Sequence, residues 1–297
     1  MTATKNKIPR AKGEVAFEVL SSILCVVICI LCAYPIYYIL ICSLSNPFAV
    51  QTGEVLFTIK GFSFDSFKAA FQIDGLWRAY GNTIFYTVGG VIVNMLFTTS
   101  MAYALSKKRL VGRKFWNMMV AFTLWFNAGM IPFFLTLRNY HMLDKRSTIL
   151  LAFAINAYNL IIMRTFFEQL PESLEEAAFI DGASNTRIFW SIYLPLSKPA
   201  LVTVATFYAV NRWNNYFWAM NILTDDKKIP LQVMLKKLLV DRVAGAEEAA
   251  IITVNSTTSP DTIIYAVIIL AVIPMLIVYP YVQRYFKSGA TLGAVKG

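Results

Sequence analysis

The chain has 297 residues, of which 57% are hydrophobic, and it carries a formal net charge of +10 with a mean hydropathy of +0.56. A soluble domain of this size has too little polar surface to cover so much apolar material, so the composition excludes an ordinary soluble enzyme and indicates a membrane protein. In such a protein a positive net charge reflects topology and contact with lipid headgroups, and we do not expect a nucleic acid partner.

Six apolar runs are each long enough to cross a lipid bilayer as a helix, because about 20 residues span the hydrocarbon core. They lie at residues 19–42, 83–105, 115–137, 148–167, 199–221 and 262–282. We therefore predict an all-α polytopic membrane protein whose six transmembrane helices form a single domain over residues 1–297. Because the number of crossings is even, both termini should lie on the same side of the membrane.

Residues 1–18 place four basic side chains ahead of the first run, as a secretory signal peptide does. The apolar region of a signal peptide is only about 7–15 residues long, whereas residues 19–44 form a complete span with no small-residue cleavage site after it. The first run is therefore predicted to be an uncleaved transmembrane helix.

The short loop between the second and third spans contains Lys107-Lys108-Arg109 and Arg113-Lys114. Basic residues in short loops favour the cytoplasmic side of a membrane. We therefore predict that this loop, the N-terminal segment 1–18 and the tail 284–297 are cytoplasmic.

The sequence contains no set of residues that would hold a metal ion or a nucleotide. Cys25, Cys29, Cys32 and Cys42 all lie in the first span, where cysteine behaves as a small hydrophobe, and only His141 is available to complete a ligand set. No G-x-x-x-x-G-K-[ST] phosphate-binding loop occurs. We expect no catalytic residue, no metal and no cofactor on this chain, so a partner would have to supply the energy for transport.

An ion-coupled secondary carrier is the main alternative function. Proton coupling would need a chain of Asp, Glu or His side chains within the spans, and the sequence has none. Sodium coupling through backbone carbonyls would leave little trace in a sequence, so this alternative stays open.

A polar segment between the fourth and fifth spans predicts two short helices. Pro171 suits the first turn of a helix, and three glutamates follow it near the N-terminus, where the helix dipole favours negative charge. We predict this first helix over residues 171–181. Leu174, Ala177 and Ala178 should share one small apolar face of it.

Asp181-Gly182 predicts a sharp reversal after this helix, because glycine adopts a positive φ at little cost. A second short helix should follow near residues 183–193, and Leu194-Pro195 and Lys198-Pro199 should interrupt the chain before the next span. Residues 168–194 are thus predicted to form a cytoplasmic helix-turn-helix at the membrane surface.

The fifth span contains polar side chains that are unusual in a lipid-embedded helix. In a continuous helix Asn211, Asn214, Asn215 and Trp218 fall at i, i+3, i+4 and i+7, with Arg212 beside them. Amides in hydrocarbon must find partners, so this stripe should face the helix bundle or a wet pathway. Arg212 should face a cavity or a partner because a charge in a span is costly, and its role stays open between substrate, gate and subunit interface.

Further amides occur in the neighbouring spans. Asn156 and Asn159 form a shorter stripe in the fourth span, and Asn127 adds an amide in the third. Such side chains could bind a carbohydrate, whose hydroxyls pair with amides and whose C–H faces lie against aromatic rings. They could equally join one helix to another.

The loop at residues 222–260 is predicted to be extracytoplasmic and to contain an amphipathic helix. Its apolar positions recur at i, i+3, i+4, i+7 and i+8, and they are Leu231, Met234, Leu235, Leu238 and Leu239. The helix could rest in the lipid interface, or the loop could contact an external protein.

One spacing pattern in the polar segment is highly specific. Glu176-Ala177-Ala178 is followed by Gly182 after three residues, by Ile192 after nine more, and then by Leu194-Pro195. This pattern resembles, without a departure, the cytoplasmic signature loop of the permease subunits of binding-protein-dependent ABC importers. The chain is similar over nearly all its length to MalG-type permeases of carbohydrate-uptake importers, including residues 159–167 and a glycine-spaced tail from Gly289.

The resemblance implies a type I ABC importer permease fold, multi-pass in the bacterial cytoplasmic membrane, that works by alternating access. The partners would be a second homologous permease, an ABC ATPase dimer that binds ATP and Mg, and an extracytoplasmic sugar-binding protein that touches the 222–260 loop. The transported solute would be a sugar, with oligosaccharides favoured.

The resemblance also assigns roles to the signature loop. Glu176 would pair with a basic residue in the ATPase cleft, Ala177 and Ala178 would allow close seating, and Gly182 would set the turn. The full set of expected coupling residues is Glu175, Glu176, Ala177, Ala178, Asp181, Gly182, Ile192, Leu194 and Pro195. In this family substrate contacts can be confined to the other permease, in which case the asparagine stripes are structural.

Overall fold

The computed structural model describes residues 12–243 and 259–294, and within these ranges its regular secondary structure is helical, as predicted. The helices are α1 (Lys12–Ser43), α2 (Pro47–Gln51), α3 (Asp65–Phe71), α4 (Leu76–Ser106), α5 (Arg113–Trp125), α6 (Met130–Asn139), α7 (Arg146–Leu151), α8 (Ala157–Glu168), α9 (Glu172–Ile180), α10 (Asn185–Ile188), α11 (Leu194–Leu196), α12 (Lys198–Asn214), α13 (Phe217–Ile222), α14 (Leu231–Val243) and α15 (Pro260–Ala294). A π-helical turn, Phe189–Tyr193, joins α10 to α11. Most of the predicted N-terminal segment 1–18 and part of the 222–260 loop lie outside the described residues, whereas the predicted tail 284–297 continues as helix to Ala294.

Three of the six predicted spans are continuous helices. Phe17–Ser43, Leu76–Ser106 and Pro260–Pro280 are each long and apolar enough to cross a membrane. They correspond to the first, second and sixth predicted spans. The second begins earlier than predicted, directly after Gly75, whose φ of +80° is a backbone conformation that favours glycine.

The other three predicted spans are broken, and the expectation that each is one helix is wrong. The third bends by 115° between α5 and α6, where the Asn127 side chain accepts a hydrogen bond from the Gly129 N–H. The fourth breaks between α7 and α8, where the Asn156 side chain caps α8 by accepting from the Asn159 N–H. The fifth ends at Asn214 and resumes as α13. Asparagine side chains compete with the helical hydrogen-bond ladder, which explains their place at these breaks.

The described chain divides into two compact units. Unit 1 contains residues 12–70 and 259–269, and its apolar core contains Cys42, Ala49 and Val55. The remaining cysteines are exposed on α1, so only Cys42 is buried like a small core hydrophobe.

Unit 2 contains residues 71–243 and 270–294 and is organised around α4, which packs against α7, α8, α12 and α14. Its apolar core lies between α4, α8, α12 and the π-helical segment. The largest contributors include Leu105, Met163, Phe167, Ile188, Tyr193 and Val204.

The apolar stripe predicted on α14 is present but is covered by protein. Leu231, Met234, Leu235 and Leu238 are buried, and only Leu239 is substantially exposed. The Leu231 N–H donates to the hydroxyl of Thr83 on α4 at 2.8 Å, which anchors the start of α14. The interpretation of this face as resting in the lipid interface is therefore wrong, because α4 already covers it.

Arg212 holds the break in the fourth span. Its guanidinium is buried and donates to the backbone carbonyls of Ile149 and Leu150, near the C-terminal end of α7, and of Phe153, which follows the helix. The hydrogen bonds to Leu150 and Phe153 are 3.0 Å long. The last carbonyls of a helix have no helical partner and carry partial negative charge, so they suit a cation. These neutral oxygens explain how the charge is accommodated inside the protein.

Asn94 of α4 completes this arrangement. Its side-chain oxygen accepts from Arg212 Nε at 2.9 Å, and its side-chain nitrogen donates to the carbonyls of Phe153 and Ala154. We call this group of contacts, made by Arg212 and Asn94 with the backbone of 149–154, the Arg212 tie. It joins α4 and α12 to the broken fourth span.

Gly90, one turn before Asn94, leaves the space that the Arg212 tie needs. A Cβ atom at Gly90 would lie 2.8 Å from Arg212 Nε. We expect Gly90→Ala to displace the guanidinium and to destabilise the protein by about 1–3 kcal/mol, the usual cost of unsatisfied buried polar groups. The measurement is the thermal unfolding midpoint in detergent.

Gly81→Ala is the matched control, because Gly81 lies on the same helix with no atom within 4 Å of a Cβ. Alanine is the better helix former, so this variant should unfold at the parental temperature or slightly above it. Equal midpoints for the two variants would contradict the role assigned to Gly90.

Candidate functional site

The signature loop, residues 171–196, begins with α9 close to its predicted bounds. Pro171 precedes the helix as its N-cap and is not its first helical residue. At the other end Gly182 has a φ of +74°, and the N–H groups of Gly182 and Ala183 donate back to the carbonyls of Phe179 and Ala178. The predicted glycine turn is therefore confirmed, since a positive φ is strained for residues with a Cβ.

The second half of the signature loop departs from the prediction. The Ser184 hydroxyl caps α10, and the helix continues through the π-helical turn and α11 before it ends at Leu196. Leu194-Pro195 therefore does not interrupt the helix. The wider π turn ends at Tyr193, two residues before Pro195, whose ring has no N–H and would crowd a regular α turn. The break falls after Leu196, where the axis turns by 84° into α12.

One side of α9 is exposed and is free of the core. Ser173, Glu176, Ala177 and Ile180 are exposed at i, i+3, i+4 and i+7, and Ile180 is 87% exposed. We call these four residues the outer face of α9. Ala178 does not belong to it, because it packs against the core, so the predicted apolar face of Leu174, Ala177 and Ala178 is divided between two environments.

Glu175 points to the opposite side and is nearly buried. One carboxylate oxygen accepts from Lys107 Nζ at 2.5 Å and from the Tyr193 hydroxyl at 2.7 Å. The other oxygen lies 3.1 Å from an Arg109 Nη2 donor. Burial acts to raise the pKa of Glu175, but the hydrogen bonds from Lys107 and Tyr193 and the two nearby positive charges outweigh it and lower the pKa. Glu175 is therefore an ionised carboxylate whose partners are side chains of this same subunit.

The expected coupling residues thus occupy two different environments. Ala178, Ile192 and Leu194 pack against the core of unit 2, and Glu175 faces Lys107. The exposed members are Glu176, Ala177, Asp181, Gly182 and Pro195. Sequence reasoning missed the basic partners of Glu175, because the Lys107-Lys108-Arg109 cluster was interpreted only as a sign of membrane orientation.

A second site is a cavity of about 940 Å³ between the breaks in the predicted fourth and fifth spans. It brings together most of the predicted pathway residues, and Asn127 is not among those that line it. The predicted residues in the lining are Asn156, Asn159, Asn211, Arg212, Asn214, Asn215 and Trp218. We call this space the asparagine cavity.

The asparagine cavity exists because the helices break there. Asn214 ends α12 and Asn215 follows it, so the predicted stripe on one continuous helix is wrong, and the turn of the chain brings these amides together. Tyr208 fixes the opposite wall, since its hydroxyl accepts from the Asn156 N–H at 3.0 Å and lies 2.7 Å from the Thr98 hydroxyl. The sequence alone did not predict a role for Tyr208 or Thr98. Their only signal in the sequence is a hydroxyl group within an apolar helix.

The chemistry of the asparagine cavity suits a polyhydroxylated ligand. Its described lining combines side-chain amides with aromatic rings, among them Tyr158, Phe207 and Trp218, and includes no carboxylate. Amides supply both donors and acceptors, and the rings supply apolar faces. The Arg212 guanidinium is held by four hydrogen bonds to the protein, so it shapes the wall through the Arg212 tie.

Comparison with known proteins identifies the family. Residues 17–291 match the family described as binding-protein-dependent transport system inner membrane component. The chain is 38% identical over 270 residues, 90% of this chain and 94% of the relative, to the polygalacturonan/rhamnogalacturonan transport system permease protein YtcP of Bacillus subtilis (strain 168). It is 27% identical to the arabinooligosaccharides permease AraQ of Halalkalibacterium halodurans, over 82% of this chain and 83% of the relative.

A solved structure confirms the fold. A chain from a bacterial ABC transporter involved in the import of the acidic polysaccharide alginate superimposes with a TM-score of 0.86 at 42% sequence identity, covering 94% of this chain and 100% of that chain. The family resemblance seen in the sequence is therefore confirmed. This chain belongs to the family of binding-protein-dependent transport system inner membrane components and is a permease subunit of an ABC importer.

Proposed function

We propose that this subunit forms one half of a translocation pathway that imports oligosaccharides by alternating access. The observation that carries the proposal is the asparagine cavity, where amides and aromatic rings converge at helix breaks. The substrates named for the relatives support it, because polygalacturonan, rhamnogalacturonan, arabinooligosaccharides and alginate are all polyhydroxylated. The ion-coupled carrier alternative receives no support from these relatives.

The proposed topology has six crossings with both termini in the cytoplasm of a bacterium. Three continuous helices and two bent helix pairs are long and apolar enough for up to five crossings, and the broken pair α7 and α8 would make the sixth. The basic loop after α4 favours the cytoplasmic side. The signature loop would then be cytoplasmic and the 222–260 loop extracytoplasmic, within reach of a sugar-binding protein. A second permease would supply the other half of the pathway.

The signature loop is proposed to dock on an ABC ATPase dimer through the outer face of α9. Glu176 has no ion-pair partner among the described residues, which leaves its carboxylate available to a basic residue of the ATPase. Ala177 beside it would allow close approach, and Ile180 offers exposed apolar surface. ATP and Mg would be bound by the ATPase, and this chain would contribute no catalytic residue.

Glu176→Lys should prevent docking. Reversal of a charge opposite a basic residue commonly costs about 2–5 kcal/mol, so recovery of the ATPase should fall by about tenfold or more. The measurement is co-purification of the ATPase with the tagged chain in mild detergent. Glu54→Lys, an equal charge change at an exposed acid in unit 1, is the control and should leave recovery intact. Equal recovery with Glu176→Lys would remove the docking role.

Gly182 gives a second test of docking that does not depend on charge. A Cβ at this position would contact nothing within 4 Å, so only its φ of +74° restricts the residue. Gly182→Val should distort the turn and reduce ATPase recovery, since β-branched residues avoid positive φ. Gly182→Asn should preserve recovery, because asparagine tolerates this conformation. Similar behaviour of the two variants would show that the turn conformation is unimportant.

Asn211→Ala should weaken uptake without loss of the complex. Asn211 is exposed to the asparagine cavity, and loss of one hydrogen bond to the ligand, about 1 kcal/mol, should raise KM about fivefold. Uptake is measured in proteoliposomes with oligogalacturonides and arabino-oligosaccharides as probes. Asn221→Ala is the control, because that amide bonds the carbonyl of Phe217 in its own helix. An unchanged KM for Asn211→Ala would assign substrate contacts to the second permease.

A further inference from the structure

We propose that Glu175 is a positioning residue that locks the signature loop to the end of α4, so that the loop and α4 move together when the ATPase closes. The proposal rests on the proposed docking of the signature loop. It assigns to Glu175 a role different from that of its neighbour Glu176. We call Glu175, Lys107, Arg109 and Tyr193 the α4 clamp.

The first contact of the α4 clamp lies directly at the end of α4. Lys107 follows the last residue of the helix, and its N–H still donates to the Ala104 carbonyl, so its position is fixed by the helix. Its ammonium group lies 4.0 Å from the ring centroid of Tyr103 and 3.7 Å from that of Tyr193, while it donates to Glu175. A cation between two rings and a carboxylate has little freedom to move.

The second contact reaches both helices of the signature loop. Arg109 forms an ion pair with Glu175 on α9 at 3.1 Å and donates to the side-chain oxygen of Asn185 on α10, and it lies over the ring of Phe179 at 4.6 Å. The Tyr103 hydroxyl donates to the Asn185 carbonyl at 3.3 Å. The loop after α4 thus holds the helix-turn-helix at two points, which makes rotation of one helix against the other unfavourable.

The Lys107–Glu175 pair of the α4 clamp differs from an ordinary surface ion pair because both of its side chains are largely buried. The Lys107 and Glu175 side chains are 10% and 13% exposed, whereas those of the neighbouring pair Lys108 and Glu172 are 75% and 61% exposed. Exposed pairs contribute little to stability, but removal of one member of a buried pair leaves an uncompensated charge. The chain therefore contains its own control pair, one helical turn away on α9.

The α4 clamp and the Arg212 tie lie on the same helix. Lys107 follows the end of α4, and Asn94 and Gly90 lie within it and hold Arg212 and the wall of the asparagine cavity. A rigid helix fixed at both places is a physical connection between the signature loop and the cavity. Loss of the α4 clamp should leave docking intact but weaken this connection.

The test uses the complete complex of both permeases and the ATPase in proteoliposomes. The native cysteines are replaced by alanine, and Ala152→Cys reports the accessibility of the cavity wall to a maleimide, with and without ATP and vanadate. This readout needs no identified sugar. ATPase recovery and the rate of ATP hydrolysis are measured on the same samples.

With Glu175→Gln we expect recovery and hydrolysis to stay close to the parental values, while the nucleotide-dependent change in labelling falls about threefold or more. Glu172→Gln should leave all three measurements unchanged. Loss of ATPase recovery with Glu175→Gln, as expected for Glu176→Lys, would make Glu175 a docking residue and overturn the proposal. If the labelling of Glu175→Gln changed with nucleotide as much as that of the parental protein, the positioning role would also be overturned, whereas the docking proposal would stand.

A second variant covers the case in which Glu175→Gln does not fold. Lys107→Gln breaks the same pair from the other side, and it leaves Glu175 with its ion pair to Arg109 and its hydrogen bond from Tyr193. In this variant too, ATP hydrolysis should stay close to the parental rate while the nucleotide-dependent change in labelling falls. Failure of both variants to insert in the membrane would show that the α4 clamp serves folding alone, which contradicts a positioning role.

Discussion

The burial of the Arg212 guanidinium against backbone oxygens is the constraint on which the centre of this subunit depends. A charge placed inside an apolar bundle is stable only if oxygens surround it, and here the chain at the end of α7 supplies them because the predicted fourth span is broken. The break exposes the carbonyls that stabilise the Arg212 charge, and the guanidinium in turn satisfies carbonyls that have no helical partner. Asn94 adds an oxygen from α4 and Gly90 adds space, so three helices meet at one polar point.

The same break creates the asparagine cavity. Once α7 ends at Leu151, the chain from 152 to 156 turns, and Asn156 and Tyr208 meet across it. Irregular backbone at membrane depth is stable only where protein or water satisfies its hydrogen bonds. A cavity lined by amides meets that condition, and Asn156, which caps α8, is one of the amides in its lining. The proposed transport role of the asparagines is therefore compatible with a structural one.

The signature loop places its adjacent glutamates in two different environments. Residues next to each other on a helix point about 100° apart, so Glu175 faces α4 and Glu176 faces outward. The inner carboxylate is ionised because two cations and a tyrosine hydroxyl compensate its burial. This division explains how a loop can offer an exposed surface to a partner and still be rigidly attached to its own subunit.

The sequence by itself determined the class of protein, the continuous first, second and sixth spans, the helix at Glu172–Ile180 and the turn at Gly182, because apolar length, capping residues and glycine are local signals. It also selected the asparagines that line the cavity. Only the tertiary structure decided that the middle spans break, that Lys107 and Arg109 hold Glu175, and that Arg212 caps α7. These features depend on contacts between residues up to 118 positions apart, such as Asn94 and Arg212, and no local pattern encodes which distant oxygen a buried charge will meet.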